Sequence, residues 1–148
     1  MIHWVQIIHE SGICLHFRNY SDQKVNKDLS SGLMSAILGL AKEVHQETIK
    51  EIHMESNYIF YGVREPIIMA VSTTEAIKRK KLTYALDCIL NLFFDNYSTH
   101  LQHNILDPDT FTSFSSTIED EFVKNGLITR YFGKEINRGQ ARKSLLEL

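Results

Sequence analysis

"DLSSGLMSAILGLAKEV", residues 28–44, reads as one helix, but with more apolar surface than a helix with one wet side needs. At about 100° per residue, Leu29, Leu33, Ile37, Leu40 and Val44 form one stripe, and Met34, Leu38 and Ala41 form a second beside it. Together they span roughly 200°, about twice what a surface helix buries. Small residues recur on the remaining arc at Ser31, Ser35 and Gly39. Two flanks need two surfaces to pack on, and the fold must supply at least one of them.

The flanking segments supply a sheet. "IHWVQIIH", residues 2–9, is β-branched and aromatic and reads as a strand. Gly12 suits a tight hairpin turn. In "ICLHF" an alternation sets Ile13, Leu15 and Phe17 on one face and Cys14 and His16 on the other. The polar stretch 18–27 is a loop, and Asp28 is the expected N-cap of the helix. After it come an imperfect alternation at Ile49, Ile52 and Met54, a turn at Ser56-Asn57, and the strands "YIFYGV" and "PIIMAV" separated by Arg64-Glu65-Pro66. The first and last strands are apolar on both faces, as central strands are.

Residues 75–101 carry the longest helical pattern, through Leu82, Leu86, Ile89, Leu90, Phe93, Tyr97 and Leu101, and "LDPD" breaks it at Pro108. Asp109 or Thr110 is the expected cap of a third helix with Phe111, Phe114, Ile118 and Phe122 on one face, ended by Asn125-Gly126. Leu33 and Leu86 are the expected core leucines of the first two helices. The order strand, strand, helix, three strands, helix, helix, joined mostly by short turns, predicts an α+β domain on a largely antiparallel sheet.

Composition narrows the function. The chain has 148 residues, 43% hydrophobic and 23% charged, with a formal net charge of −2. That is ordinary for one globular domain and argues against a nucleic-acid partner. Cys14 and Cys88 form no CxxC pair and read as reduced thiols of a cytosolic protein. The N-terminus has no basic region or cleavage site of a signal peptide, and no apolar run has the roughly 18 residues of a membrane span. The expected location is cytoplasmic, with at most peripheral membrane contact.

No catalytic, cofactor-binding or metal-binding constellation emerges. A P-loop and a G-x-S-x-G elbow are both absent. His100 and His103 have no third ligand at a recognisable spacing, and His9 and His16 read as sheet histidines across a hairpin. Glu119, Asp120 and Glu121 are consecutive and point around a helix instead of converging. The run Lys78, Arg79, Lys80, Lys81 is less ordinary. It opens a helix, where the macrodipole favours acids, and so is a candidate contact for an acidic partner or for lipid headgroups.

Three stretches resemble the longin domain over about residues 1–125. "IHWVQIIHESGICLHFRNYS" looks like the longin opening hairpin. The helix at 28–44 is similar to the first longin helix, as in stand-alone archaeal longin-like and roadblock-like sequences. "REPIIMAVSTTEAIKRKKLTYALDCILNLFFDNY" looks like the last strand and the long second helix. The resemblance implies a three-layer, profilin-like α+β domain. Its five-stranded antiparallel sheet would carry one helix on one face and two on the other, followed by a basic extension at 126–148 for which a helix is one reading.

The resemblance also implies no catalysis and no cofactor. It implies a protein–protein interaction module that pairs with itself or with another longin- or roadblock-like domain, as a platform for small-GTPase regulation or membrane trafficking. The extension lacks the heptads and anchor of a vesicle SNARE, and no helix precedes the first strand as in roadblock proteins. On this reading Leu29, Leu33, Ile37, Leu40 and Val44 lie on the sheet, while Ser31, Met34, Ser35, Leu38 and Ala41 face a partner. A small-molecule sensor of a related three-layer fold is the alternative.

Overall fold

The computed structural model describes residues 1–74 and 78–128. The strands are β1 (Ile2–His9), β2 (Cys14–Asn19), β3 (Glu51–His53), β4 (Asn57–Arg64) and β5 (Ile67–Thr74). The helices are α1 (Lys27–His45), α2 (Arg79–Gln102) and α3 (Ser115–Lys124), with a 3₁₀ segment at Pro108–Phe114. The expected element order holds. The helical pattern at 75–77 and the extension beyond residue 128 lie outside the described residues.

The strands form one antiparallel sheet in the order β2-β1-β5-β4-β3. β1 and β5 pair at its centre, from His9 against Ile67 to Ile2 against Thr73. This is why both are apolar on each side. Ile67, Met69 and Val71 join the core under α2 and α3, and Ile68 and Ala70 the smaller one under α1. The fold therefore has the three layers that the longin resemblance implies, and the larger of its two apolar clusters lies on the α2 side.

That larger core is built on periodicity. Leu82, Leu86, Ile89, Leu90, Phe93 and Tyr97 of α2 are buried against the sheet. α2 packs tightly on the sheet at Gly62, where a Cβ would lie 3.0 Å from Leu90 Cδ1 and 3.4 Å from Leu86 Cβ. Tyr97, Phe111 and Phe114 surround Phe93 with ring centroids 5.0–5.4 Å away. Phe111 and Phe114 share a face because the 3₁₀ turn stacks residues three apart, and α3 continues that face through Ile118 and Phe122.

Two expected caps move. Asn26, not Asp28, caps α1: its side-chain oxygen accepts from the Leu29 N–H at 3.0 Å, and its carbonyl accepts from the Ser30 N–H at 2.9 Å. Asp28 lies within the first turn, where a carboxylate favours the helix dipole. At the third helix, Asp107 caps the 3₁₀ segment through the Asp109 N–H at 3.1 Å. The Pro108 ring then suits the first position of that turn.

The β1–β2 hairpin breaks its alternation. Ile7 pairs with His16 and Ile8 with Cys14, so Leu15 is an extra residue in a bulge. Cys14 faces α1, while Leu15 enters the α2-side core and His16 follows it to that side. His9 donates its backbone N–H to the Ile13 carbonyl and is not opposite His16.

Leu86→Ala should cost about 2–5 kcal/mol by urea unfolding, because α2 cannot collapse onto the vacated space. Leu33→Ala, at an exposed position, should cost far less when measured at low protein concentration.

Candidate interaction surface on the first helix

α1 packs on the sheet by its other flank. Ser31, Met34 and Leu38 are buried beneath it, and Ser35, Ile37 and Ala41 are half-buried. Leu29, Leu33, Leu40 and Val44 are exposed at 69%, 54%, 61% and 59%. The expectation is thus reversed: three residues assigned to a partner lie on the protein's own sheet, and four assigned to the sheet, Leu33 among them, face outward.

The reason is a buried amide. Gln6 of β1 is fully buried on the sheet face under α1. Its Nε2 donates to the Lys27 carbonyl at 3.2 Å and to Ser31 Oγ at 3.1 Å. Its Oε1 accepts from Ser30 Oγ at 2.9 Å. Turning the leucines inward would break these bonds and leave a buried amide unpaired, at about 1–3 kcal/mol.

Neighbouring contacts hold the same rotation. Ser35 Oγ donates to the Glu10 carbonyl at 2.7 Å. The buried Tyr61 hydroxyl donates to Met34 Sδ at 2.9 Å, and burial raises its pKa to about 12. Lys42 pairs with Glu65 of the β4–β5 turn and holds that carboxyl below its usual range. The small arc at Ser31 and Ser35 therefore brings α1 close to its own sheet.

The basic run lies across the sheet from this surface. Lys78, Arg79, Lys80 and Lys81 are all exposed at the start of α2, whose first turn holds no acid. Two of the four have places within the fold. Arg79 Nε lies 3.3 Å from Glu51 Oε2, with its guanidinium 5.8 Å from the Phe60 ring centroid. Lys78 Nζ reaches the turn after α3, 4.0 Å from where a Gly126 Cβ would stand. Its charge suits a helix C-terminus.

The histidines separate. His100 packs its ring against Tyr97, with centroids 5.6 Å apart, and His103 caps α2. Among the described residues, no group of three His, Cys, Asp or Glu side chains is placed to hold a metal ion. His16 is buried, its Nε2 3.2 Å from Ser115 Oγ at the start of α3. Burial first, and Arg18 second, lower its pKa to about 4. Cys14 and Cys88 are free thiols on opposite sides of the sheet, and burial raises the pKa of Cys14.

Sequence reading passed over Gln6 and took His16 for an ordinary sheet histidine. A glutamine among apolar residues on a central strand is the signal for the first. No local signal marks the second, because it depends on the bulge.

These layers, strand order and helix placement define a longin-like α+β fold. No family model matches the sequence, and no curated protein does. Solved structures do match. Myxococcus xanthus MglB aligns over 64% of this chain and 85% of its own, at 12% identity and a TM-score of 0.52. A Roadblock/LC7 domain from Streptomyces avermitilis aligns over 68% of this chain and 86% of its own, also at 12% identity and a TM-score of 0.52. The likeness is one of fold: this chain has the longin-like architecture of roadblock domains.

His16 resists protonation when folded, relative to an ordinary histidine near 6.5. Its contribution is fully present above pH 6.5 and is lost as pH falls from there towards about 4, up to about 3 kcal/mol. Urea unfolding across this range should show that loss in the wild type and a flatter profile in His16→Gln.

Proposed function

We propose that the protein is a non-enzymatic interaction module that assembles through the outward face of α1. Its partner is a second copy or another longin- or roadblock-like domain. The assembly serves as a platform for small-GTPase regulation or membrane trafficking, in the cytoplasm and at most peripherally at membranes. One observation carries this reading: four large aliphatic side chains face outward from a helix whose other side is fastened to the sheet. Leaving such a stripe in water forgoes about 1.5–3 kcal/mol per side chain that a partner would recover.

The fold neighbours support the platform part of the reading only at the level of architecture. Lys80 and Lys81 supply a second, electrostatic contact for an acidic partner or lipid headgroups, on the far side of the sheet.

Leu33→Asp combined with Leu40→Asp should leave far-UV circular dichroism native and reduce the mass measured by light scattering to that of a monomer. A wild type that is monomeric at high micromolar concentration would sink the self-association. Lys80→Gln with Lys81→Gln should weaken binding to anionic vesicles and lower its salt dependence, leaving stability unchanged or slightly raised. Unchanged binding would return the run to an ordinary solvated helix face.

A further inference from the structure

The lysines and arginines of this chain are not spread evenly along it. From Leu82 to Val123 there are seven acids and no lysine or arginine. The run Lys78, Arg79, Lys80, Lys81 stands immediately before this stretch, and Lys124 immediately after it. Residues 129–148 then carry five cations, Arg130, Lys134, Arg138, Arg142 and Lys143, against Glu135 and Glu147. Their formal charge is +3, which leaves −5 for residues 1–128 of a chain whose total is −2.

Folding brings the basic stretches to one pole. α2 starts where α3 ends: Lys78 Nζ lies 4.0 Å from where a Cβ on Gly126 would stand. Lys78, Lys80, Lys81 and Lys124 are all exposed. Glu51, the acid beside the run, is engaged by Arg79. The next acid along α2, Asp87, is six residues beyond Lys81, about 9 Å along the axis. Asp120 and Glu121 are the acids about one turn before Lys124. Arg130 follows Gly126 by four residues, so the length of the chain keeps it within about 14 Å of this pole.

We infer that the basic run and the extension at 129–148 bind one anionic lipid bilayer together. The inference rests on the reading of Lys80 and Lys81 as an electrostatic contact, adds the extension to it and names the occupant. A body of net −5 approaches an anionic surface most favourably with its cationic pole foremost. The cations alone would suit an acidic protein equally. The extension interleaves them with Tyr131, Phe132, Ile136, Leu145, Leu146 and Leu148. That mixture matches the boundary between headgroups and acyl chains, which takes basic and apolar side chains at once. Two basic elements on one chain also raise each other's effective concentration at the surface, so removing either weakens the whole.

Flotation of the full chain with phosphatidylcholine vesicles, plain or with about 30% phosphatidylserine, tests this. The wild type should float with the anionic vesicles only. Each cation near such a surface is worth about fivefold in affinity. Arg138→Gln with Arg142→Gln and Lys143→Gln should therefore weaken binding roughly 100-fold, and Lys80→Gln with Lys81→Gln roughly 20-fold. Lys80→Arg with Lys81→Arg should keep it. Leu145→Ser with Leu148→Ser should lose the binding that survives about 0.5 M salt, where the electrostatic part is screened.

A wild type that does not float with anionic vesicles overturns the inference and the lipid reading of Lys80 and Lys81 together. Loss of binding on changing those two lysines, with none on changing the three extension residues, overturns the inference and leaves the earlier reading standing. Loss with the extension variant alone overturns the joint contact. Binding to polyglutamate as tight as to the vesicles assigns the pole to an acidic protein and overturns the bilayer as its occupant.

Discussion

The amide of Gln6 decides which way the first helix faces. It sits fully buried on a central strand, where both of its N–H donors and its oxygen need partners. Lys27, Ser30 and Ser31 provide all three, and they lie on one side of the first turn of α1. Once that side is committed to the sheet, Met34 and Leu38 follow inward at helical spacing. Leu29, Leu33, Leu40 and Val44 then have nowhere to go but out. A leucine at position 6 would favour the opposite rotation on hydrophobic grounds. The glutamine makes α1 a helix that keeps its larger aliphatic side chains for the surface.

The fold tolerates this because its stability resides elsewhere. The core on the other side of the sheet gathers α2, α3, the 3₁₀ segment and the inner positions of β1, β4 and β5 into one apolar cluster with the Phe93 aromatic group at its centre. The cluster beneath α1 is smaller and contains Met34, Leu38, Ile8, Ile59, Tyr61, Ile68 and Ala70. One face of the sheet thus holds the chain folded while the other presents a surface. On the proposed reading as a pairing module, this division keeps the α1 surface intact when the partner is absent.

The same division bears on the electrostatics. The basic run at the start of α2 stands out in sequence because it opposes the helix dipole. Folding places Arg79 beside Glu51 and Lys78 beside the end of α3. Half of the run therefore has a place inside the domain, while Lys80 and Lys81 are exposed. His16 shows a converse effect. Nothing about it is unusual in sequence, yet burial against α3 depresses its pKa and makes it a source of acid sensitivity.

Much of the architecture was legible in the sequence because it rests on local rules. Period-two and period-3.6 patterns located the strands and helices. The doubly apolar first and last strands read as the centre of the sheet, and the phenylalanine spacing at 111, 114, 118 and 122 gave the face that packs under α2. The resemblance to longin domains assembled these into three layers. The face of α1 was not legible in the same way. A helical wheel shows that two apolar flanks exist, and it carries no information about the strand beneath. The choice belongs to Gln6, more than twenty residues away from Ser31 along the chain, and to a hydrogen-bond demand that appears only once the strand is buried. The fate of His16 was hidden for a similar reason: one extra residue in the hairpin turns it towards α3, and strict alternation has no term for a bulge. Sequence alone therefore determined the elements of this protein, through local periodicity, and the resemblance supplied their layers. Tertiary structure decided which surface it offers, because partners for buried polar groups are found only across the fold.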